Sequence, residues 1–102
     1  YIDAASSYRG FAEGYNAVGL KALQEGNVYQ AITLYEKGIS LYLTLANLLN
    51  NYGRALGMVG RFEESLCVFK RVQQLDAQFI TDPVLFDQLL RFNSPKCSTL
   101  LQ

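Results

Sequence analysis

Histidine is absent from this 102-residue chain, proline and cysteine each occur twice, and neither sign of charge predominates, with nine Lys plus Arg against nine Asp plus Glu. Each scarcity excludes something. Without histidine, the commonest general base and the commonest metal ligand are gone. The two cysteines, Cys67 and Cys97, lie far apart without CxxC spacing and cannot form a four-ligand zinc site alone. The apolar surroundings of Cys67 predict a buried filler, and both thiols are expected to be free, which leans towards a reducing, cytoplasmic compartment. Balanced charge provides no basic field for nucleic acid. No run approaches the ~20 uninterrupted apolar residues of a membrane span, and the longest apolar-rich stretch, 41–49, is broken by Thr44 and Asn47. No membrane insertion is expected. No secretory leader is legible, and a start at Tyr1 predicts a piece of a longer protein.

What is present is apolar: half of the residues by count, with 13% aromatics. That is too much for disorder, and the length suits one domain. The informative feature is an internal repeat. A shift of 34 residues aligns Ala12 with Ala46, Asn16 with Asn50, Gly19 with Gly53 and Gly26 with Gly60. It also aligns Val28 with Phe62, Ala31 with Ser65, Ile32 with Leu66, Tyr35 with Phe69, Lys37 with Arg71, and Leu41 with Leu75. Small residues meet small ones and aromatics meet aromatics at helical intervals.

Each unit reads as a helical hairpin. Tyr15, Val18, Ala22 and Leu23 predict an amphipathic helix over about 12–25. Gly26 suits the left-handed position after it, and Asn27 is expected to cap the next helix, carried by Val28, Ala31, Ile32, Tyr35 and Ile39 to about Tyr42. In the second unit Leu48, Leu49, Tyr52 and Leu56 form one stripe, ended by Gly60. Phe62, Leu66, Phe69, Val72 and Leu75 form the other, with Glu63 and Glu64 near the positive end of the helix dipole. Gly19 and Gly53 fall mid-helix, where each costs ~1 kcal/mol relative to Ala, which implies close helix–helix approach.

Residues 12–79 resemble two tetratricopeptide repeats. The first unit presents Tyr15, Val18-Gly19, Ala22, Ala31, Tyr35, Gly38 and Leu43 at the family's positions; the second presents Leu49, Tyr52-Gly53, Leu56, Ser65, Phe69, Val72 and Ala77. Both depart from the pattern where proline would close the unit, at Leu43 and Ala77, so the helices flanking Leu43 are expected to merge in part, with Thr44 the obvious cap between them. The resemblance implies an all-α fold of antiparallel hairpins stacked as a short right-handed solenoid, with repeat 1 at 12–45 and repeat 2 at 46–79. Residues 1–11 are a leader or the remnant of a preceding helix. Asp82-Pro83 starts a capping helix over 82–92, and 93–102 is a tail. Five or six helices are expected in all. Two repeats fall short of the usual three, so self-association or marginal stability is expected.

No catalytic or cofactor motif emerges. Gly53 to Gly60 lacks the dinucleotide spacing and follows no strand, the serines have no histidine to activate them, and the carboxylates are scattered over polar faces. The chain is expected to be non-catalytic, with no cofactor and no metal. The resemblance places a peptide- or helix-binding groove on the first helix of each unit. By register its exposed residues would include Asn16, Leu20 and Leu23 on the first unit and Asn47, Asn50, Asn51, Arg54 and Met58 on the second. Asn47, Asn50, Asn51 and Arg54 share one helix face, and amide side chains pair with peptide backbone without demanding one sequence. A chaperone-tail clamp is not expected: Asn51 matches one clamp asparagine, but Asn16 and Leu20 stand where a lysine and an asparagine would be. The expected function is a protein–protein interaction module. Two alternatives stand beside it: a substrate-guiding arm of a glycosyltransferase-like enzyme, and a three-helix trafficking domain of the microtubule-interacting-and-transport kind, which residues 22–39 also resemble.

Overall fold

Two glycines punctuate the chain. Gly26 and Gly60 have φ of 86° and 84°, the left-handed conformation that favours a residue without Cβ. Around each, the same pair of hydrogen bonds closes a helix. The Asn27 N–H donates to the Ala22 carbonyl at 2.9 Å and the Gly26 N–H to Leu23 at 3.1 Å; the Arg61 N–H donates to Leu56 at 3.0 Å and the Gly60 N–H to Gly57 at 3.2 Å. Both are Schellman closures, which satisfy carbonyls that the helix end leaves without partners.

The computed structural model describes residues 4–75, and they form four α-helices without a strand: α1 (Ala4–Gln24), α2 (Val28–Leu41), α3 (Ala46–Met58) and α4 (Phe62–Leu75). The expected capping helix, the tail, Cys97 and the end of the second unit lie outside the described residues. Three local expectations change. The first helix begins at Ala4 rather than near residue 12, so residues 4–11 continue α1 instead of forming a separate leader. Asn27 holds the N-cap position of α2 but makes no side-chain capping bond. The α2–α3 junction does not merge: Tyr42 is extended, its N–H donates to Gly38, and Leu45 rather than Thr44 takes the N-cap position. Two hydrogen-bonded closures terminate α2 and α3 where proline is missing and where Gly60 follows, so proline is not required for the break.

Each helix runs antiparallel to the one before it. Across α1 and α2, a Cβ at Gly19 would meet the Tyr35 ring and one at Gly38 would meet Tyr15. Across α3 and α4, Gly53 meets Phe69 and the Ser65 hydroxyl donates to the Gly53 carbonyl at 2.6 Å. Across α2 and α3, Gly38 meets Leu48, and the Tyr52 hydroxyl donates to the Glu36 carboxylate at 3.0 Å. Helices α1 and α3 lie side by side and parallel, joined by Asn16 and Asn51. Leu48, Leu49 and Leu56 on α3 are fully buried, each contributing about 1.5–3 kcal/mol by the area it removes from water. Their neighbours in the core are Ala12, Ala31, Tyr35, Ala55, Leu66, Val68, Phe69 and Val72.

The first-helix stripe is corrected in part. Ala22 is buried and Leu23 packs on the core, but Val18 is 55% exposed. α1 approaches α2 through its small residues Ala12, Gly19 and Ala22, so its larger side chains turn outward. Phe62 and Leu75, at the two ends of α4, are also exposed. Cys67 is buried as expected, yet it is disulfide-bonded rather than a free thiol. The sequence holds one other cysteine, Cys97. No described helix is long and apolar enough to cross a membrane.

Candidate functional site

The seam between α1 and α3 gathers the residues that the sequence singles out, but sorts them into two sets. Asn16, Asn50 and Asn51 are buried, not exposed. Asn51 Nδ2 donates to Asn16 Oδ1 at 2.9 Å, a side-chain bond that ties α1 to α3. Their expected role as open contacts is therefore replaced by an internal one: two amides facing each other across a helix interface satisfy one another before any partner arrives. The helical register explains why. Asn51 lies on the side of α3 that meets α1, and that neighbour covers its amide. The outward set is Asn47, Arg54 and Met58, all exposed, with Leu20 and Leu23 half-buried on α1.

Sequence reasoning treats Tyr35 only as a core aromatic and misses its hydroxyl. The ring is completely buried against Gly19, where an added Cβ would come within 2.5 Å of Cε1 and 3.1 Å of Cζ. Its hydroxyl oxygen is buried and has no hydrogen-bond partner among the described residues. Burial pushes the phenol up to about 12, opposed in part by the positive charge of Arg54. The phenol therefore keeps its proton well above neutral pH. The available signal was the pairing of Tyr35 with Phe69 under the 34-residue shift: one position needs the ring, and only one unit adds oxygen.

Arg54 differs from the other described arginines. Arg9 donates to Glu13, Arg61 to Glu64 and Arg71 to Gln74. Arg54 has no ion-pair or hydrogen-bond partner among the described side chains and is exposed. The Tyr52 phenol, by contrast, is paired: its own burial and the Glu36 carboxylate that accepts from it both raise its pKa. Among the described residues no cluster of three potential ligands could hold a metal ion.

A second exposed feature lies on α1. Tyr8, Phe11 and Val18 are each half or more exposed and lie at helical spacing on one side of the helix. Comparison of the chain with protein-family models, curated proteins and solved structures gives no match.

Proposed function

We propose that the chain is a non-catalytic, tetratricopeptide-like interaction module whose hairpins stack as a short right-handed solenoid. In this reading the α1–α3 face binds an extended or helical segment of another protein. The observation that supports the reading is the Asn51–Asn16 bond, which ties α1 to α3; on this reading Leu20 and Leu23 on one helix and Asn47, Arg54 and Met58 on the other line the binding face. Half-buried leucines and an exposed methionine supply apolar anchors, and Arg and Asn47 supply polar contacts round them. The recurrence of the glycine–aromatic contact and of the helix closure in both hairpins supports the repeat reading over a three-helix trafficking domain.

Peptides selected from a random display library on the wild-type chain test this. A groove ligand shifts the amide signals of Leu20, Leu23, Arg54 and Met58, and Arg54→Ala with Met58→Ala weakens it at least tenfold without moving the melting midpoint. Ligands that map instead to the outer faces of α2 and α4, indifferent to both changes, overturn the groove. Self-association belongs to the same proposal, because Tyr8, Phe11 and Val18 leave an apolar strip of α1 exposed; sedimentation velocity that finds a monomer at every concentration removes it. The cytoplasmic placement rested on free thiols, and the disulfide at Cys67 withdraws that support.

A further inference from the structure

We infer that the α1 strip of Tyr8, Phe11 and Val18 docks on the same strip of a second copy, the two α1 helices lying antiparallel about a two-fold axis. The inference rests on the self-association reading and deepens it by naming the surface and its register. The second hairpin shows what such a face receives. Under the 34-residue shift Tyr15 and Val18 correspond to Leu49 and Tyr52, and Gly14 to Leu48. Leu48, Leu49 and Tyr52 are buried where antiparallel α2 crosses α3, with Gly38 against Leu48 and Glu36 accepting from the Tyr52 hydroxyl. On α1 the corresponding face is open: Tyr8 is 50%, Phe11 63% and Val18 55% exposed, and a Cβ at Gly10 or Gly14 would meet nothing within 4 Å. By its counterpart, this face takes an antiparallel helix.

The order of residues along the strip selects a copy of itself. A two-fold axis passing between Gly14 and Tyr15 sets Phe11 against Val18 of the second copy, Gly14 against its Tyr15 and Tyr8 against its Lys21. One register thus gives each bulky side chain a partner, and the glycines let the two backbones approach. Charge fixes the direction. No charged residue falls on the strip between Tyr8 and Val18, and Lys21, exposed one turn further, is the first. Parallel copies would hold the two Lys21 side chains level with each other. Antiparallel copies keep them roughly 20 Å apart along the helix axis and lay each ammonium beside a Tyr8 ring. Arg9 and Glu13, on the flank, are already paired within one chain and bring no repulsion. The strip is small: two aromatics and a valine from each copy stay below the ~1,200 Å² that stable interfaces bury, so the dimer is weak, with a Kd on the order of 100 μM.

Sedimentation equilibrium from low micromolar to millimolar chain tests this, with NMR on a mixture of labelled and unlabelled copies. A monomer–dimer equilibrium is expected, with contacts between the Phe11 ring of one copy and the Val18 methyls of the other. Phe11→Glu should weaken the dimer at least tenfold. Gly14→Gln should do the same while the melting midpoint of the dilute chain holds or rises, because the new side chain enters open space and glycine is a poor helix former. Arg54→Ala with Met58→Ala, on the groove, should leave the dimer unchanged. A dimer indifferent to both strip variants overturns the inference and leaves self-association standing. Contacts of Phe11 with Phe11 and of Val18 with Val18 overturn the antiparallel register. A chain that stays monomeric overturns the inference and the self-association reading together. If such a monomer shifts its Phe11 and Val18 signals on addition of a synthetic peptide of residues 27–42, the strip belongs to a separate helix and not to a second copy.

Discussion

The two hairpins are built in one frame and packed to different tightness. In the first, a Cβ at Gly19 would lie 2.5 Å from the Tyr35 ring; in the second, a Cβ at Gly53 would lie 3.0 Å from the Phe69 ring. The first hairpin has Ala31 where the second has Ser65, whose hydroxyl is spent on the Gly53 carbonyl. The first carries an aromatic oxygen with no described partner, and the second has no oxygen there at all. Polar groups have thus been placed differently on the same scaffold. The second hairpin uses its hydroxyl to bind helix to helix, while the first leaves one buried without a described partner. α3 is also buried on more sides than α1, because α1, α2 and α4 all contact it. A frame that repeats fixes where helices meet, and single-atom differences decide how each meeting is bonded.

Filling the two glycine contacts exposes the difference in packing and has the largest expected effect. Gly19→Leu should destabilise by about 3 kcal/mol or more, since its Cβ alone would lie 2.5 Å from the Tyr35 ring, half an ångström closer than the matching contact at Gly53. Gly53→Leu should cost less, and Gly53→Ala should come close to neutral, as the ~1 kcal/mol gain in helix propensity offsets a contact that Phe69 can relieve by a small shift. Urea midpoints of the four Ala and Leu variants rank them. A Gly53 series costlier than the Gly19 series would mean that the second hairpin is the tighter.

Covalent tethering separates the hairpins next. Cys67 on α4 is disulfide-bonded, whereas its counterpart under the 34-residue shift, Thr33 on α2, is exposed and bonds only to the Tyr29 carbonyl. The sequence holds one other cysteine, Cys97, outside the described residues. Reduction should lower stability by about 2–4 kcal/mol, the usual contribution of a disulfide. Thermal melts with and without dithiothreitol check this, together with mobility on non-reducing gels. Identical melts, with two thiols titrated by Ellman's reagent in the unreduced protein, would return Cys67 to the free state.

Much of this frame was legible in the sequence, and what was not has specific causes. The positive-φ glycines, the start of α2 at Val28 and of α4 at Phe62, and the burial of Leu48, Leu49, Leu56, Phe69 and Val72 follow from periodicity and glycine placement. The burial of Asn16, Asn50 and Asn51 did not follow. A register tells which residues share a helix face, but the neighbour decides whether that face is open, and here α1 covers Asn51. Val18 was misread for a related reason: the hydrophobic pattern marks a residue able to be buried, while the approach of α1 through glycine and alanine left it outside. The disulfide was invisible because spacing alone cannot bring two thiols together.

The Asn51–Asn16 bond is a buried polar link between the two hairpins' first helices, and breaking it should cost less than either perturbation above. Asn51→Ala removes the donor and leaves the buried Asn16 oxygen without it, for a loss of about 1–3 kcal/mol. Asn16→Leu with Asn51→Leu should restore part of that, since no polar group is then left behind. A double-mutant cycle by urea unfolding measures the coupling. A coupling near zero would show that the two amides are held apart in solution, and the shared α1–α3 surface would lose its anchor.

The smallest expected change makes one hairpin a copy of the other. Tyr35→Phe puts in the first hairpin the ring that the second already has, and removes a buried hydroxyl with no described partner. Deleting an unsatisfied group without altering the ring should be neutral to stabilising, by about 1 kcal/mol at pH 7. The alkaline limb gives a second reading. An unfolded tyrosine ionises near pH ~10, and burial holds Tyr35 up at about 12 in the fold. Between those values the folded chain keeps a proton that the unfolded chain has lost, so stability is constant below about pH 10 and falls as pH rises towards 12. Tyr35→Phe should flatten that fall by about 1.4 kcal/mol for each pH unit in the window, leaving the part due to Tyr52, which burial and Glu36 also raise. Urea titrations at pH 7, 10 and 11 decide the matter. A Phe variant that is less stable at pH 7 would mean that the hydroxyl has found a partner in solution, and the contrast between the two hairpins would then be one of bonding rather than of availability.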